Sequence, residues 1–196
     1  MAGAAVSLDK VLAARDARQA AQQALLAGGA GCLLSFSVLA PGGVKRSPFL
    51  DELFAVGEAC LKQIMQRQGI AITAERRLDD EGGQSLLLSA DCLPEILKTQ
   101  LIALEQSHPL GRLWDLDVLD KQGLPLSRQQ FGLPPRACLC CGDSAKACAR
   151  LRRHRIEDLH AEMQARYRRF REMAALGESM AAALCAEADL TPKPGL

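Results

Sequence analysis

Residues 32–69 read CLLSFSVLAPGGVKRSPFLDELFAVGEACLKQIMQRQG, and this stretch passes from strand to loop to helix. In residues 32–40, Leu34, Phe36 and Val38 alternate with Ser35 and Ser37, the period-two pattern of a strand with one apolar face. Ser47-Pro48 then supplies an N-cap followed by proline in the first helical position. From 48 to 68, Leu50, Leu53, Phe54, Gly57, Leu61, Ile64 and Met65 recur at three- and four-residue spacing, and Gly69 closes the helix.

Upstream, residues 8–26 read as a helix with Ser7 as N-cap and Gly28-Gly29 at its end. Downstream, 70–73 and 85–90 read as short strands around a polar turn, 94–106 as a helix and Leu113–Leu119 as a strand. A cysteine-rich knuckle follows from Cys138 to His154, then a long helix over about 155–187. This order predicts an α/β or α+β fold, a mixed sheet with flanking helices. Its expected divisions are a catalytic domain over 1–137, a knuckle and helix over 138–190 packed on it, and a disordered tail over 191–196.

The chain of 196 residues carries 24 Lys plus Arg against 23 Asp plus Glu, so any electrostatic binding must come from local clusters. One Trp, one Tyr and five Phe are too few for a base-stacking platform, which argues against nucleic-acid binding. Residues 19–44 are uncharged but broken by Gln, Gly, Ser and Pro, so no membrane span is expected. With no secretory signal pattern and eight cysteines too sparse for a disulfide scaffold, a cytoplasmic protein is expected.

Three groups of residues carry chemistry. Asp115 and Asp117 lie two apart in a strand, so both carboxylates emerge on one face and suit Mg2+ with phosphate oxygens; the alternative is a solvated polar face. Gly111-Arg112 just upstream offers a turn and a phosphate-pairing guanidinium. Gly42, Gly43 and Lys45 in the strand-to-helix loop could cradle an anion or simply connect two elements. Cys138, Cys141, Cys148 and His154 form a set suited to structural Zn2+, the alternative being reduced thiols around a turn. The arginines from Arg150 to Arg171 read first as a solvated face.

Taken together, EQSHPLGRLWDLDVL, LPPRACLCCGDSAKACARLRRH, ARDARQ and SFSVLAPGGVK resemble the holo-citrate lyase synthase family, the apo-citrate lyase phosphoribosyl-dephospho-CoA transferases. The resemblance covers roughly residues 10–165. It implies transfer of a phosphoribosyl-dephospho-CoA group from its triphosphate precursor to a serine of the citrate lyase acyl carrier subunit, with release of diphosphate. On that reading Asp115 and Asp117 hold the metal, like the paired aspartates of nucleotidyltransferases, and a nucleotidyltransferase-like sheet is expected. Arg112 and Lys45 would hold the triphosphate, while Arg15, Arg18 and Gln19 match the family's N-terminal block as substrate contacts. Glu105 or His108 would accept the serine proton. The competing reading is a zinc-knuckle binding or adaptor protein without catalysis.

Overall fold

A computed structural model describes residues 3–176; the last part of the expected terminal helix, Cys185 and the 191–196 tail lie outside the described residues. In chain order it contains α1 (Leu8–Ala27), β1 (Cys32–Val38), α2 (Pro48–Arg67), β2 (Ile72–Asp80), β3 (Gly83–Ala90), α3 (Pro94–Ser107), β4 (Trp114–Leu119), α4 (Ala145–Leu151) and α5 (Ile156–Leu176). The four strands form one sheet in the order β2-β3-β1-β4, and every neighbouring pair is antiparallel. The expected α+β order, a sheet with flanking helices followed by a cysteine cluster and a long helix, is found, and the sheet is antiparallel throughout. The β1-α2-β2-β3-α3-β4 core is the split βαβ arrangement of ferredoxin-like folds.

Strand alternation sorts the core into two layers. Leu34 and Phe36 of β1, Leu86 and Leu88 of β3, and Trp114, Leu116 and Val118 of β4 face α2 and α3. The opposite face carries Leu33, Leu87 and Leu119 and is covered at one end by Ala21, Leu25 and Leu26 of α1. Ser47 caps α2 as the sequence predicts, its Oγ accepting from the Leu50 N–H at 3.2 Å. Burying Leu53, Phe54 and Leu61 completely contributes roughly 1.5–3 kcal/mol for each side chain.

Gly57 lets α2 approach the sheet. A Cβ there would lie 2.5 Å from Phe36 Cζ and 2.9 Å from Trp114 Nε1. In the space it leaves, the Trp114 indole donates to the Leu53 carbonyl at 3.0 Å, tying the middle of α2 to the start of β4.

The β2 strand is longer than the 70–73 predicted. From Glu75 to Asp80 only Leu78 is apolar, packing against the cluster of Leu33 and Leu87, so this edge strand gave too little alternation to read. Charge pairs hold it instead: Glu58 of α2 accepts from Arg77 at 2.9 Å and from Lys62 at 3.0 Å, and Lys62 also reaches Glu75 at 2.9 Å. Among the described residues no helix is long and apolar enough to cross a membrane.

Candidate functional site

The other edge strand, β4, is where the candidate chemistry gathers. Its inward residues Trp114, Leu116 and Val118 are buried, so Asp115 and Asp117 project from the opposite face of the sheet. There they stand in register with two hydroxyls of β1, Asp115 beside Ser37 and Asp117 beside Ser35. The α1 helix crosses the same face and engages both serines: Arg18 reaches Ser37 Oγ at 3.5 Å and Gln22 donates to Ser35 Oγ at 3.1 Å.

An edge strand exposes every second carbonyl, yet those of β4 are all taken. The Trp114 carbonyl accepts from Arg136 at 2.8 Å, Leu116 from Lys98 at 3.0 Å, and Val118 from the Leu126 N–H at 2.8 Å. The two carboxylates therefore stand on a fixed platform rather than on a fraying edge. Burial among the surrounding elements, followed by the like charge of Asp115, pushes the Asp117 carboxyl above its usual value, although its surface remains open to solvent. Lys98, Arg136 and Arg18 oppose that shift.

Cationic groups flank the pair on two sides. Arg15, Arg18 and Lys45 line a cavity of about 150 Å³ with Ser37 and Ser85. Burial and the nearby Arg15 lower the Lys45 ammonium below its ordinary value, while its Nζ donates to the Ala40 carbonyl at 2.6 Å. Gln19 lines the adjoining hollow with Arg15 and Gln22. The residues predicted from three separate segments thus meet on one face of the sheet. Gly42 and Gly43 do not join Lys45 in that cavity. Gly42, at φ +80°, lies under Ile156 of α5, and the Gly43 carbonyl accepts from Val6 N–H, so the loop is braced on both sides.

On the other flank a buried carboxylate organises three guanidiniums. Glu105 of α3 pairs with Arg112 at 3.2 Å, Arg128 at 3.0 Å and Arg136 at 2.9 Å. Its side chain is only 8% exposed. Arg136 extends to Asp115 at 3.4 Å, and Arg112 donates to the Ala137 carbonyl. Gly111 permits this approach, since a Cβ there would lie 2.6 Å from the Leu104 and Glu105 carbonyls.

His108, by contrast, is on the core side. Its ring packs 4.6 Å from Trp114 and 5.6 Å from Phe170, and Nδ1 accepts from the Leu110 N–H at 3.1 Å. Burial lowers its pKa to about 4. Lys98, Arg128 and Arg136 escaped the sequence reading. Lys98 and Glu105 are seven apart on the inward stripe of α3 with Leu97, Leu101 and Leu104, and charges on an apolar stripe were the available signal.

The cysteine-rich segment is built directly onto Arg136. Ala145 N–H donates to the Arg136 carbonyl at 2.8 Å and Cys138 N–H to Asp143 at 2.6 Å, making a tight hairpin with an Ala137–Ser144 bridge. Cys138, Cys141, Cys148 and His154 bring their ligand atoms within 4.8 Å of one another, a cluster able to bind a metal. Cys141 Sγ lies 3.5 Å from Cys148 Sγ and 3.3 Å from His154 Nε2. Cys140 is exposed and outside the cluster, while Cys32 and Cys60 are buried in the core.

Comparison with known proteins identifies the family. A family profile described as apo-citrate lyase phosphoribosyl-dephospho-CoA transferase matches residues 6–170. Proteins of that name from Escherichia coli O1:K1 / APEC and from Escherichia coli O139:H28 (strain E24377A / ETEC) are 43% and 42% identical over 161 residues, 82% of this chain and 88% of theirs. One from Shigella boydii serotype 18 (strain CDC 3083-94 / BS512) is 42% identical over the same span. With α1, the aspartate strand and the cysteine hairpin all inside the matched region, the chain belongs to the apo-citrate lyase phosphoribosyl-dephospho-CoA transferase family.

Proposed function

We propose that this chain transfers the phosphoribosyl-dephospho-CoA group from 2'-(5''-triphosphoribosyl)-3'-dephospho-CoA to a serine of the apo-citrate lyase acyl carrier subunit, releasing diphosphate. The observation that carries the reading is the placement of Asp115 and Asp117 on one pinned strand between two groups of cations, Arg15, Arg18 and Lys45 on one flank and Arg112 and Arg136 on the other. Attack by a hydroxyl on the α-phosphorus with departure of diphosphate asks a protein mainly to position the groups and neutralise charge.

Asp115 and Asp117 fit Mg2+. Two carboxylates crowd one face, each raising the other's field, and hard oxygen donors of this kind hold that ion beside phosphate. Bound there, the ion would neutralise charge on the transferred and departing phosphates. Arg15, Arg18 and Lys45 supply the anion cavity on the α1 side, and Arg136 orients Asp115 from the other. Neither Glu105 nor His108 serves as base in this reading. Glu105 is committed to three guanidiniums, and His108 packs with Trp114 on the far side of the strand.

The Cys138, Cys141, Cys148 and His154 set suits Zn2+. Zinc bonds of about 2.0–2.3 Å in a tetrahedron put ligand atoms roughly 3.4–3.8 Å apart, close to the separations here. Four protein ligands leave no open position, so the ion would brace the hairpin that begins at Arg136. Cys32, Cys92, Cys138, Cys140, Cys141 and Cys148 stand as free thiols, which fits a cytoplasmic setting.

Mass spectrometry of apo carrier subunit incubated with this protein, Mg2+ and the triphosphate donor tests the reading. A serine-linked mass gain that disappears without Mg2+ is expected. An unmodified carrier, with folded protein and a carrier competent for a related transferase, would overturn it.

A further inference from the structure

Beside Asp115 opens a groove of about 810 Å³ that the chemistry above leaves unused. Its walls are the 39–42 loop, the cysteine hairpin, α4 and the start of α5. The lining is mostly apolar, with Leu39, Leu139, Ala149, Ile156 and Leu159 contributing. Charged groups interrupt it in two places. Asp115, Arg112 and Arg136 mark where it meets the aspartate strand, and Arg152 and Arg155 stand on the wall between α4 and α5.

These two basic stations have different partners. Arg112 and Arg136 are held by Glu105, whereas the Arg155 side chain is 79% exposed and, among the described residues, pairs with the neighbouring Glu157 at 3.3 Å. Arg152 occupies the left-handed turn after α4, at φ 47°, a conformation that a non-glycine residue adopts at a cost. The hairpin hydrogen-bonded to Arg136 forms one wall, so the groove and the aspartate strand are parts of one construction.

We propose that this groove binds the dephospho-CoA arm of the donor, with the adenosine against the aliphatic walls and its 5'-diphosphate at Arg152 and Arg155. This rests on the transferase reading and deepens it. The donor carries a triphosphate at one end, a ribosyl-adenosine next, and a second, diphosphate anion beyond it. The protein presents the same alternation: cations at the aspartates, an apolar stretch, then cations again. The groove falls within the usual roughly 300–1,000 Å³ of small-molecule sites, and its concavity suits a narrow ligand better than a protein surface. Guanidiniums fit a diphosphate through paired N–H donors.

The test uses 3'-dephospho-CoA, which lacks the triphosphoribosyl group, as a calorimetric probe with the full chain. Wild-type protein should bind it. Ala149→Trp, at an exposed position where a ring can enter the groove without disturbing the core, and Arg155→Glu should each weaken binding at least tenfold. In the transfer assay both should raise the donor KM by a similar factor and leave the carrier KM unchanged. An elevated carrier KM with an unchanged donor KM would assign the groove to the carrier and overturn the proposal; so would unaltered constants in both variants. Wild-type protein that binds dephospho-CoA but modifies no carrier would fail the transferase reading while leaving the groove's ligand established. Unchanged thermal unfolding of the variants excludes a folding defect.

Discussion

Replacing Glu105 by Gln removes the one counter-charge shared by Arg112, Arg128 and Arg136 while keeping nearly the same side-chain volume. The three arginine side chains are 23%, 14% and 27% exposed, so solvent compensates for little of the loss. The new amide would also aim N–H donors at guanidinium donors. Breaking a buried ion pair by removing one partner costs about 3–5 kcal/mol, and the three pairs share one carboxylate, so they are not summed. In a chain of this length each kcal/mol moves Tm by roughly 2–4 °C, which places the expected fall near 10 °C. Thermal unfolding followed by circular dichroism measures it. Inorganic diphosphate should restore more of the lost Tm in the variant than it adds to wild type, because an anion then replaces the missing carboxylate. A Tm within about 2 °C of wild type, or no preferential rescue, would refute the view that this carboxylate holds the arginine cluster together.

Further consequences can be measured directly. Asp115→Ala and Asp117→Ala should each reduce carrier modification by on the order of a hundredfold or more with little change in Tm; full activity in both would remove the aspartates from the mechanism. The lowered His108 pKa, about 4 folded against 6.5 in the unfolded chain, means that the unfolded state takes up the proton first as pH falls. Its contribution is fully present above pH 6.5 and is lost progressively down to pH 4, about 2 kcal/mol having gone by pH 5. Urea unfolding at pH 7 and pH 5 should show that difference in wild type and not in His108→Phe; equal pH sensitivity in the two proteins would refute it. Gly57→Ala should cost about 1–3 kcal/mol by forcing α2 away from Phe36 and Trp114, and an unaltered Tm would contradict the close approach. Protein purified under reducing conditions without chelator should contain one zinc per chain that Cys148→Ser loses; metal analysis finding none in wild type would reject the zinc site.

How much of this was legible in the sequence depends on whether burial left a pattern. Phe36 and Val38, alternating with serines, announced β1, and Ser47-Pro48 announced the start of α2, because capping and period are local properties. The long β2 left little such trace, since apart from Leu78 most of its residues answer to charges on α2 and to solvent rather than to a core. Asp115 and Asp117 were visible for the same reason as β1: two carboxylates at period two must share a face. The convergence of Arg15, Arg18 and Lys45 was not, because it follows from α1 crossing the sheet, which only tertiary packing decides. Proximity in sequence did not decide where Glu105 and His108 point. They precede Asp115 by ten and seven residues, but the buried end of α3 turns one toward three arginines and the other toward Trp114.

The β4 strand explains why so many constraints meet in six residues. Its inward face is fixed to α2 through the indole of Trp114, and its outer carbonyls are fixed by Lys98, Arg136 and the Leu126 amide. Only the third direction, the face bearing Asp115 and Asp117, is left open for chemistry. Arg136 joins that strand to Glu105 and, through its own carbonyl, to the hairpin that presents Cys138 and Cys141. Loosening the hairpin would therefore release a guanidinium that touches Asp115, so a metal held by the cysteine cluster would act on the geometry of the carboxylates without touching them.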